Sequence, residues 1–418
     1  MFENPAFRKR ALPVLILGIF MMYFYSGLQN DHLNVLTAYY QNLGWNAITI
    51  TNPVTIAGFI IILITPIVGT LMIKYGVTRV MVPCTIVLAL ATIGLALAGT
   101  NVVMYSISLF LVRLFVLPLQ MGAFMLCTNW FVNFRGRALG LITIGNPLCT
   151  ATLIAGLTAG VAALGFTWTY SIVGIIVLVL AILIGIFIKS TPEECGLYPD
   201  GYNQPPRTTE NTHIMTLKEV FANKGSYLLI ISFGFLQFCI VAIMAFFVPR
   251  MNMTGTDMSV TLTWLSIAAV CALPVSYILG IIDDKFGTVT ASLILCLTYL
   301  LAIISLLKMT ANNIPLIAMA AFGIAGVTGG TPNLHPSITA YVYGRQNYQA
   351  ANRWIMAIQA IIMAFAIYFM SAILDATGSL DLAYKIMVVM VIIAMFCLVL
   401  IGRKPDFDRG YKGARTRS

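Results

Sequence analysis

The sequence predicts an all-α membrane protein with twelve transmembrane helices. Of its 418 residues, 60% are hydrophobic and only 9% are charged, whereas soluble domains carry about a quarter charged residues. The mean hydropathy is +0.93. Mainly apolar segments of about 20 residues, long enough to cross a bilayer, recur along the whole chain. The predicted segments are 11–40, 50–73, 79–99, 101–128, 138–160, 168–188, 223–249, 258–282, 289–309, 315–340, 347–374 and 382–402.

The segments fall into two groups of six. A polar stretch separates them, which predicts an N-terminal bundle over 1–188, a cytoplasmic linker over 189–222, a C-terminal bundle over 223–402 and a basic cytoplasmic tail over 403–418. An even number of crossings places both ends of the chain on one side. Because cytoplasmic loops carry an excess of lysine and arginine, the basic ends predict that both termini are cytoplasmic in a cell (inner or plasma) membrane.

The net charge of +10 follows the same bias. Nineteen of the 24 lysines and arginines fall in the predicted cytoplasmic parts and two lie within the membrane; the other three, on the opposite face, are Arg250, Lys308 and Lys385. This distribution needs no nucleic acid as a partner. No small-residue cleavage site follows the first apolar stretch, so we expect a retained helix rather than a signal peptide. Seven of the eight cysteines lie in apolar segments and none forms a CxxC pair, so no metal site, cofactor or disulfide framework is predicted.

The two halves share a repeated motif. Residues 69–76 end the second segment with G-x-x-x-x-K-[FY]-G, and residues 280–287 end the eighth with the same pattern. Loops that combine arginine with glycine also recur, at 135–137 and at 344–345. A repeat of six helices is the kind of internal duplication that transporters show.

These motifs resemble those of the major facilitator superfamily over the whole chain, which implies two pseudo-symmetric six-helix bundles. In that family the loop after helices two and eight reads approximately G-x-[LI]-x-D-[RK]-x-G-[RK]. The second copy here matches it at Asp284, Lys285 and Gly287, whereas the first has Ile73 in place of the acid and Arg79 one position late. The resemblance implies a cytoplasmic gate at Lys74, Arg79, Asp284 and Lys285.

Further segments resemble the organic-anion branches of this superfamily, the oxalate:formate antiporter-like and monocarboxylate porter-like proteins. They are residues 130–140, 191–201 and 329–337. The resemblance implies secondary active transport of a mono- or dicarboxylate, by proton symport or by exchange for a counter-anion, with membrane lipid around a functional monomer. Oxalate:formate antiporters carry a functional arginine in helix eight and a functional lysine in helix eleven. Here Ser276 or Tyr277 and Ile355 occupy those regions, which argues against oxalate itself.

Arg113 lies near the middle of the fourth predicted helix, where reaching either membrane surface is difficult. An arginine at this depth costs about 2.5–3.5 kcal/mol on translocon scales. Its guanidinium is a planar fork that suits a two-oxygen anion, and a carboxylate about 4 Å away gains about 4 kcal/mol at an intermediate dielectric. We predict that Arg113 anchors a substrate carboxylate. The alternative is a structural arginine satisfied by helix carbonyls or a neighbouring polar group.

A second arginine, Arg353, lies about six residues into the eleventh predicted helix, roughly 9 Å deep at 1.5 Å per residue. From that depth its side chain can reach the surface, so a structural role is the alternative to a substrate contact. Asn352 and Gln359 are seven residues apart, share a helix face and extend this candidate site. We expect Arg113 and Arg353 to meet a small anion from the two halves.

The first predicted helix contains four consecutive polar residues, 29–32. Residues about 100° apart cannot all face one cavity. Asp31 is the one carboxylate expected near the midplane, and a carboxyl group away from water is more easily protonated. We predict that Asp31 couples substrate to proton movement, with His32 as its modulator and Gln29 as a substrate contact. The alternative is that the helix ends early and these residues face water.

Three further substrate contacts are predicted. His335 precedes Pro336 in a glycine-rich tenth segment, a composition that favours a helix able to bend. A packed histidine is the alternative. Asn146 is the polar candidate of the fifth segment, and Tyr23 of the first either lines a cavity or packs.

No P-loop, HExxH motif or nucleophile elbow occurs in the sequence, so no catalytic residues and no enzyme are predicted. Transport without a nucleotide site would run on gradients. An exporter of lipophilic drugs or cations is one alternative, but it would need an intramembrane carboxylate to hold a cation. A transporter-like sensor is another, and residues 402–418 leave little room for a signalling domain.

Overall fold

A computed structural model describes residues 4–202 and 215–402 of the chain. The described residues form twelve helices that are long and apolar enough to cross a membrane. The all-α prediction and the number of helices are therefore confirmed. The predicted tail 403–418 and residues 203–214 of the predicted linker lie outside the described residues. The twelve helices are α1 (Pro5–Asn42), α2 (Thr49–Tyr75), α3 (Val77–Leu97), α4 (Val102–Trp130), α5 (Arg135–Leu164), α6 (Phe166–Phe187), α7 (Lys224–Met253), α8 (Met258–Phe286), α9 (Thr288–Leu307), α10 (Ile314–Arg345), α11 (Asn347–Thr377) and α12 (Asp381–Ile401).

The chain divides into two compact units. Of the described residues, those within 1–132 and 142–206 form the first unit, and those within 133–141 and 207–418 form the second. The second unit thus includes the first residues of α5, 135–141.

Asparagines define the starts of several helices. The side-chain oxygen of Asn4 accepts hydrogen bonds from the first amides of α1, at 3.0 and 3.3 Å. Asn101 does the same for α4 at 3.0 and 3.1 Å, and Asn46 accepts from the Thr49 amide at 2.8 Å. The first amides of a helix have no intrahelical acceptor, so such caps stabilise its start.

The repeated motif at the ends of α2 and α8 has a common geometry. Gly76 has φ 93° and Gly287 has φ 94°, values that residues with a side chain rarely adopt. Each glycine joins two helices directly, α2 to α3 and α8 to α9. The final glycine of the motif therefore permits a tight turn at the same place in each half.

Three helices of the first unit are interrupted. A π-helical segment, Gly27–Asp31, lies within α1, which continues as α-helix to Asn42. The first helix therefore does not end early, contrary to the alternative considered above. In α4, regular helix stops at Phe115 and resumes at Leu117, because Pro118 has no amide hydrogen for the carbonyl four residues earlier. In α5 a similar break occurs at Ile144.

In the second unit, Arg250 holds three helices together. Its side chain extends from the end of α7, and only 7% of the residue is exposed. Nε donates to the Leu306 carbonyl at 2.9 Å and Nη2 to the Leu307 carbonyl at 3.0 Å, both at the end of α9. Nη1 lies 2.9 Å from Asp381 Oδ1 at the start of α12. The sequence predicted Arg250 only as a cation on the outer face. The structure shows it buried, where it supplies donors to helix-terminal carbonyls that have no partner within their own helix.

Candidate functional site

Arg113 lies in the last turn before the break in α4. Only 8% of the residue is exposed, and Nη1 donates a long hydrogen bond of 3.4 Å to Asn30 Oδ1 on α1. The terminal carbonyls of the first helical segment carry partial negative charge, which stabilises a cation there. Nε of Arg113 has no hydrogen-bond acceptor within the described part of the chain. The guanidinium is thus held at the π segment of α1 with donor capacity left over.

The side chains of the four consecutive polar residues, 29–32, differ in how far they are exposed. Asn30 is exposed, Gln29 and Asp31 are half-buried, and His32 is fully buried. The four residues therefore do not share one face, as expected from helical spacing. π-Helical insertions in α-helices are frequent at functional sites, and nothing in the sequence pattern predicted this one.

His32 braces the π segment. Its Nδ1 lies 2.9 Å from the Gly27 carbonyl oxygen, and since a carbonyl can only accept, Nδ1 carries the hydrogen. Nε2 is enclosed and has no partner among residues 4–202 and 215–402. The Tyr170 hydroxyl donates to the His32 backbone carbonyl at 3.4 Å. The side chain of His32 is therefore a buried support behind the polar run.

Two threonines of α5 complete the polar surface of α1. Thr150 Oγ1 donates to Asp31 Oδ2 at 3.0 Å, and the Tyr23 hydroxyl lies 2.9 Å from Thr152 Oγ1. Both threonines are exposed, and Tyr23 is half-buried. Sequence reasoning missed both, because a threonine in a membrane helix usually bonds its own backbone. Their only signal was a spacing of about one to two helical turns from Asn146.

We call this surface the polar face of the first unit. It consists of Tyr23, Asn30, Asp31, Arg113, Thr150 and Thr152. Asn146, half-buried, lies one turn before Thr150, and its carbonyl oxygen is 3.4 Å from Thr150 Oγ1. Polar and charged groups within membrane helices most often face the bundle interior or a water-filled cavity.

In the second unit, His335 and Gln359 bridge three helices. His335 Nε2 lies 2.6 Å from Gln359 Oε1, and Gln359 Nε2 donates to the Leu229 carbonyl at 2.9 Å. Each of the two residues is only 3% exposed, and the Phe233 ring packs 5.3 Å from the imidazole. This arrangement has the features of the packed histidine that the sequence left open as an alternative.

Arg353 is half-buried on α11. Its guanidinium carbon lies 5.7 Å from the centre of the Trp354 ring, close enough for a cation–π interaction. Asn352 is 4% exposed and its Nδ2 lies 3.1 Å from Met356 Sδ. Asn352 and Gln359 are both buried, so they share an inward face of α11. Trp354 was not predicted.

The predicted gate residues differ in their surroundings. Asp284 accepts hydrogen bonds from the amides of Gly136 at 2.9 Å and Arg137 at 3.2 Å, and Arg137 Nε lies 3.3 Å from Asp284 Oδ2. A Cβ added at Gly280 would lie 2.3 Å from the Gly136 carbonyl oxygen, so the two backbones touch. Three other predicted gate residues are exposed: Lys74, Arg79 and Lys285.

Sequence reasoning missed the neighbouring carboxylate, Asp283. This residue is 2% exposed, and it accepts hydrogen bonds from Thr288 Oγ1 and Ser337 Oγ, both at 2.5 Å. Two consecutive carboxylates of α8 thus contact different elements. Within the described residues, no group of three or more His, Cys, Asp or Glu side chains could hold a metal ion.

Twelve apolar helices with polar groups held inside their spans define a multi-pass helical membrane protein. The sequence model of the Major Facilitator Superfamily matches residues 15–348, and the chain therefore belongs to that superfamily. It is a multi-pass membrane protein and a secondary transporter.

Several solved structures share this fold. The chain is similar to the E. coli fucose:proton symporter FucP, with 14% identity and a TM-score of 0.74 over 95% of this chain and 100% of that one. It is also similar to the proton:xylose symporter XylE, with 12% identity and a TM-score of 0.71 over 96% and 97% of the two chains. A second FucP structure, in the outward conformation, has 14% identity and a TM-score of 0.71 over 93% of this chain and 99% of that one. A search of curated proteins found no match.

Proposed function

We propose that the protein carries a small organic anion, a mono- or dicarboxylate, by proton symport or anion exchange. The observation that supports this most is Arg113, a buried cation that lies at an exposed polar face within an apolar span. Its contact within that face is a neutral amide, Asn30, at 3.4 Å. A neutral amide at that distance compensates little of the cost of a charge in the membrane. A bound carboxylate would supply the missing opposite charge.

Proton coupling is proposed for Asp31. Its carboxylate is half-buried on the polar face and accepts from Thr150 at 3.0 Å, so part of it stays accessible for protonation. His32 would act from behind, by holding the shape of the π segment. Gln29 and Asn146 remain proposed substrate contacts of this unit, next to Tyr23.

In the second unit we propose Arg353, Asn352, Gln359 and His335 as further substrate contacts. The gate is proposed to involve Asp284 and its contacts with residues 136–137, together with Lys74, Arg79 and Lys285. We also propose that the bundles over 1–188 and 223–402 alternate access, that both termini are cytoplasmic and that the monomer is the functional unit.

A neutral sugar carried with protons is the second candidate. FucP and XylE are sugar:proton symporters by name, and the exposed hydroxyls of Thr150 and Thr152 would suit a sugar. A neutral substrate, however, leaves the Arg113 charge uncompensated. The two candidates therefore differ in whether transport depends on that charge.

Uptake into proteoliposomes tests the proposal. Purified protein would be offered a panel of labelled mono- and dicarboxylates and sugars, as wild type, Arg113→Gln and Arg113→Lys. Charge-assisted hydrogen bonds contribute about 1.5–3 kcal/mol each, so losing two of them should lower carboxylate kcat/KM at least about 100-fold in Arg113→Gln. The carboxylate kcat/KM of Arg113→Lys should lie between those of the wild type and Arg113→Gln, because lysine keeps the charge but lacks the planar fork of the guanidinium.

The control is Lys385→Gln, which removes an exposed cation from α12 and should leave uptake unchanged. Carboxylate uptake by Arg113→Gln at the wild-type rate would exclude Arg113 as the anchor. Sugar uptake with no carboxylate uptake by the wild type would favour the second candidate.

A further inference from the structure

The polar face contains two hydrogen-bonded pairs, and their donors and acceptors indicate which chemical groups a substrate needs. Asn30 and Asp31 are consecutive, and they connect two helices: Asn30 accepts from Arg113 of α4 at 3.4 Å, and Asp31 accepts from Thr150 of α5 at 3.0 Å. The face therefore has an end at Arg113 and an end at α5. The hydrogens available at the two ends differ.

The Arg113 end donates hydrogen bonds. A guanidinium can only donate, so the atom of Asn30 that meets it at 3.4 Å is the amide oxygen. The two amide hydrogens of Asn30, an exposed residue, are then available as donors beside the guanidinium. A cation with neutral donors next to it suits the oxygens of an anion.

The α5 end accepts hydrogen bonds, because its hydroxyl hydrogens are already used. Thr152 Oγ1 lies 2.8 Å from the Leu148 carbonyl, which can only accept, so Thr152 donates to it. The Tyr23 hydroxyl, 2.9 Å from Thr152 Oγ1, must then donate to Thr152. Thr150 has two acceptors within reach, Asp31 at 3.0 Å and the Asn146 carbonyl at 3.4 Å. Its single hydrogen goes to one of them.

The α5 end therefore offers a substrate oxygen lone pairs but no free hydroxyl hydrogens. The hydroxyl oxygens of Tyr23 and Thr150 and the carboxylate of Asp31 can all accept further hydrogen bonds. Tyr23 and Asp31 are half-buried and Thr150 is exposed, so a bound molecule can reach them. A simple carboxylate brings no hydrogen-bond donor to this end.

We propose that the substrate is a hydroxycarboxylate, whose carboxylate binds at Arg113 and whose hydroxyl groups donate to Asp31, Thr150 and Tyr23. The inference rests on the proposed function, in which a carboxylate is transported. Asp31 and Thr150 then determine specificity for the hydroxyl as well as contacting it. An ammonium group is the other donor that fits a carboxylate, but it gains no opposite charge from Asp31 when that residue is protonated, as it is in part of a proton-coupled cycle.

Four compounds with three carbon atoms separate the possibilities: glycerate, propionate, alanine and glycerol. Their uptake by the full-length protein in proteoliposomes would be compared as kcat/KM. Each hydrogen bond between neutral groups changes affinity about threefold to tenfold, so glycerate should exceed propionate by about tenfold or more. Tyr23→Phe and Thr150→Val should each lower the glycerate-to-propionate ratio several-fold. The ratio is independent of how much of each variant folds.

Thr158→Val is the matched control. Thr158 is an exposed threonine of the same helix, and its hydroxyl donates to the Ile154 carbonyl at 2.8 Å. This variant should keep the wild-type ratio.

Equal uptake of glycerate and propionate would overturn the hydroxycarboxylate assignment and leave the carboxylate transporter in place. A preference for alanine would also overturn it, in favour of an ammonium donor. Wild-type discrimination that persists in both Tyr23→Phe and Thr150→Val would overturn the assignment of these residues. Glycerol uptake without uptake of any anion would overturn the proposed function itself.

Discussion

Replacing Arg250 with methionine should destabilise the second unit. Methionine keeps much of the apolar stem but removes both hydrogen bonds to the end of α9 and the ion pair to α12. The Leu307 carbonyl then loses a donor at 3.0 Å, while the Leu306 carbonyl keeps a long bond of 3.4 Å from the Met309 amide. The loss therefore falls mainly on Leu307.

The size of the effect follows from these contacts. Leaving a buried acceptor without a donor costs about 1–3 kcal/mol, and the low end applies to the Leu307 carbonyl because its bond is only part-buried. A hydrogen bond to a charged group contributes about 1.5–3 kcal/mol. The pair with Asp381 adds at most about 1 kcal/mol, because 49% of the Asp381 side chain is exposed. Its oxygen is close to Nη1 but does not form a well-directed hydrogen bond. Part of the loss is offset because no charge is buried in the variant. We expect a net loss of about 2–4 kcal/mol, with the two carbonyl contacts as the main source.

Denaturant unfolding in mixed micelles would measure this loss for Arg250→Met and Asp381→Asn. Lys308→Met serves as the control, since Lys308 is an exposed cation next to the end of α9. Asp381→Asn should cost below about 1 kcal/mol. The reasoning fails if Arg250→Met lies within 1 kcal/mol of wild type, or if Asp381→Asn costs as much as Arg250→Met.

Two further substitutions test the polar groups of each unit. Asp31→Asn should abolish accumulation driven by an imposed pH gradient while substrate still exchanges down its own gradient, because the amide cannot take up the coupling proton; undiminished proton-driven accumulation would exclude Asp31. Gln359→Leu should destabilise the protein by about 1–3 kcal/mol, because His335 Nε2 is left without a partner. The Leu229 carbonyl loses the Gln359 bond but keeps one from Ser232 Oγ at 3.4 Å. Adding His335→Phe should recover part of that loss, and equal or greater instability of the double variant would contradict the hydrogen-bond chain.

The fold could be predicted because the bilayer imposes simple rules on a sequence. Each crossing needs about 20 apolar residues, so hydropathy alone located all twelve helices. The repeated motif also had a local cause. Its last glycine, Gly76 in one half and Gly287 in the other, takes positive φ at a direct helix-to-helix turn, and that requirement is visible in the sequence.

The interruptions of helices were only partly visible. Pro118 indicates the break that follows Arg113 in α4, because proline has no amide hydrogen to donate to the preceding turn. The π segment at Gly27–Asp31 has no such marker. It depends on contacts such as the bond from His32 Nδ1 to the Gly27 carbonyl at 2.9 Å, which joins a side chain to its own distorted turn.

The sequence thus identified which residues carry unusual chemistry, and the tertiary structure determined what surrounds them. Sequence alone was enough to assign a twelve-helix membrane transporter of known superfamily, and to single out Arg113 and Asp31, because a charge within an apolar span is costly wherever it lies. Only the tertiary structure decided that Thr150 meets Asp31, that His335 is packed against Gln359, and that Arg250 closes the end of α9. Those contacts depend on which faces of distant helices meet. The arrangement of hydrogen-bond donors and acceptors on the polar face therefore forms only when the helices pack.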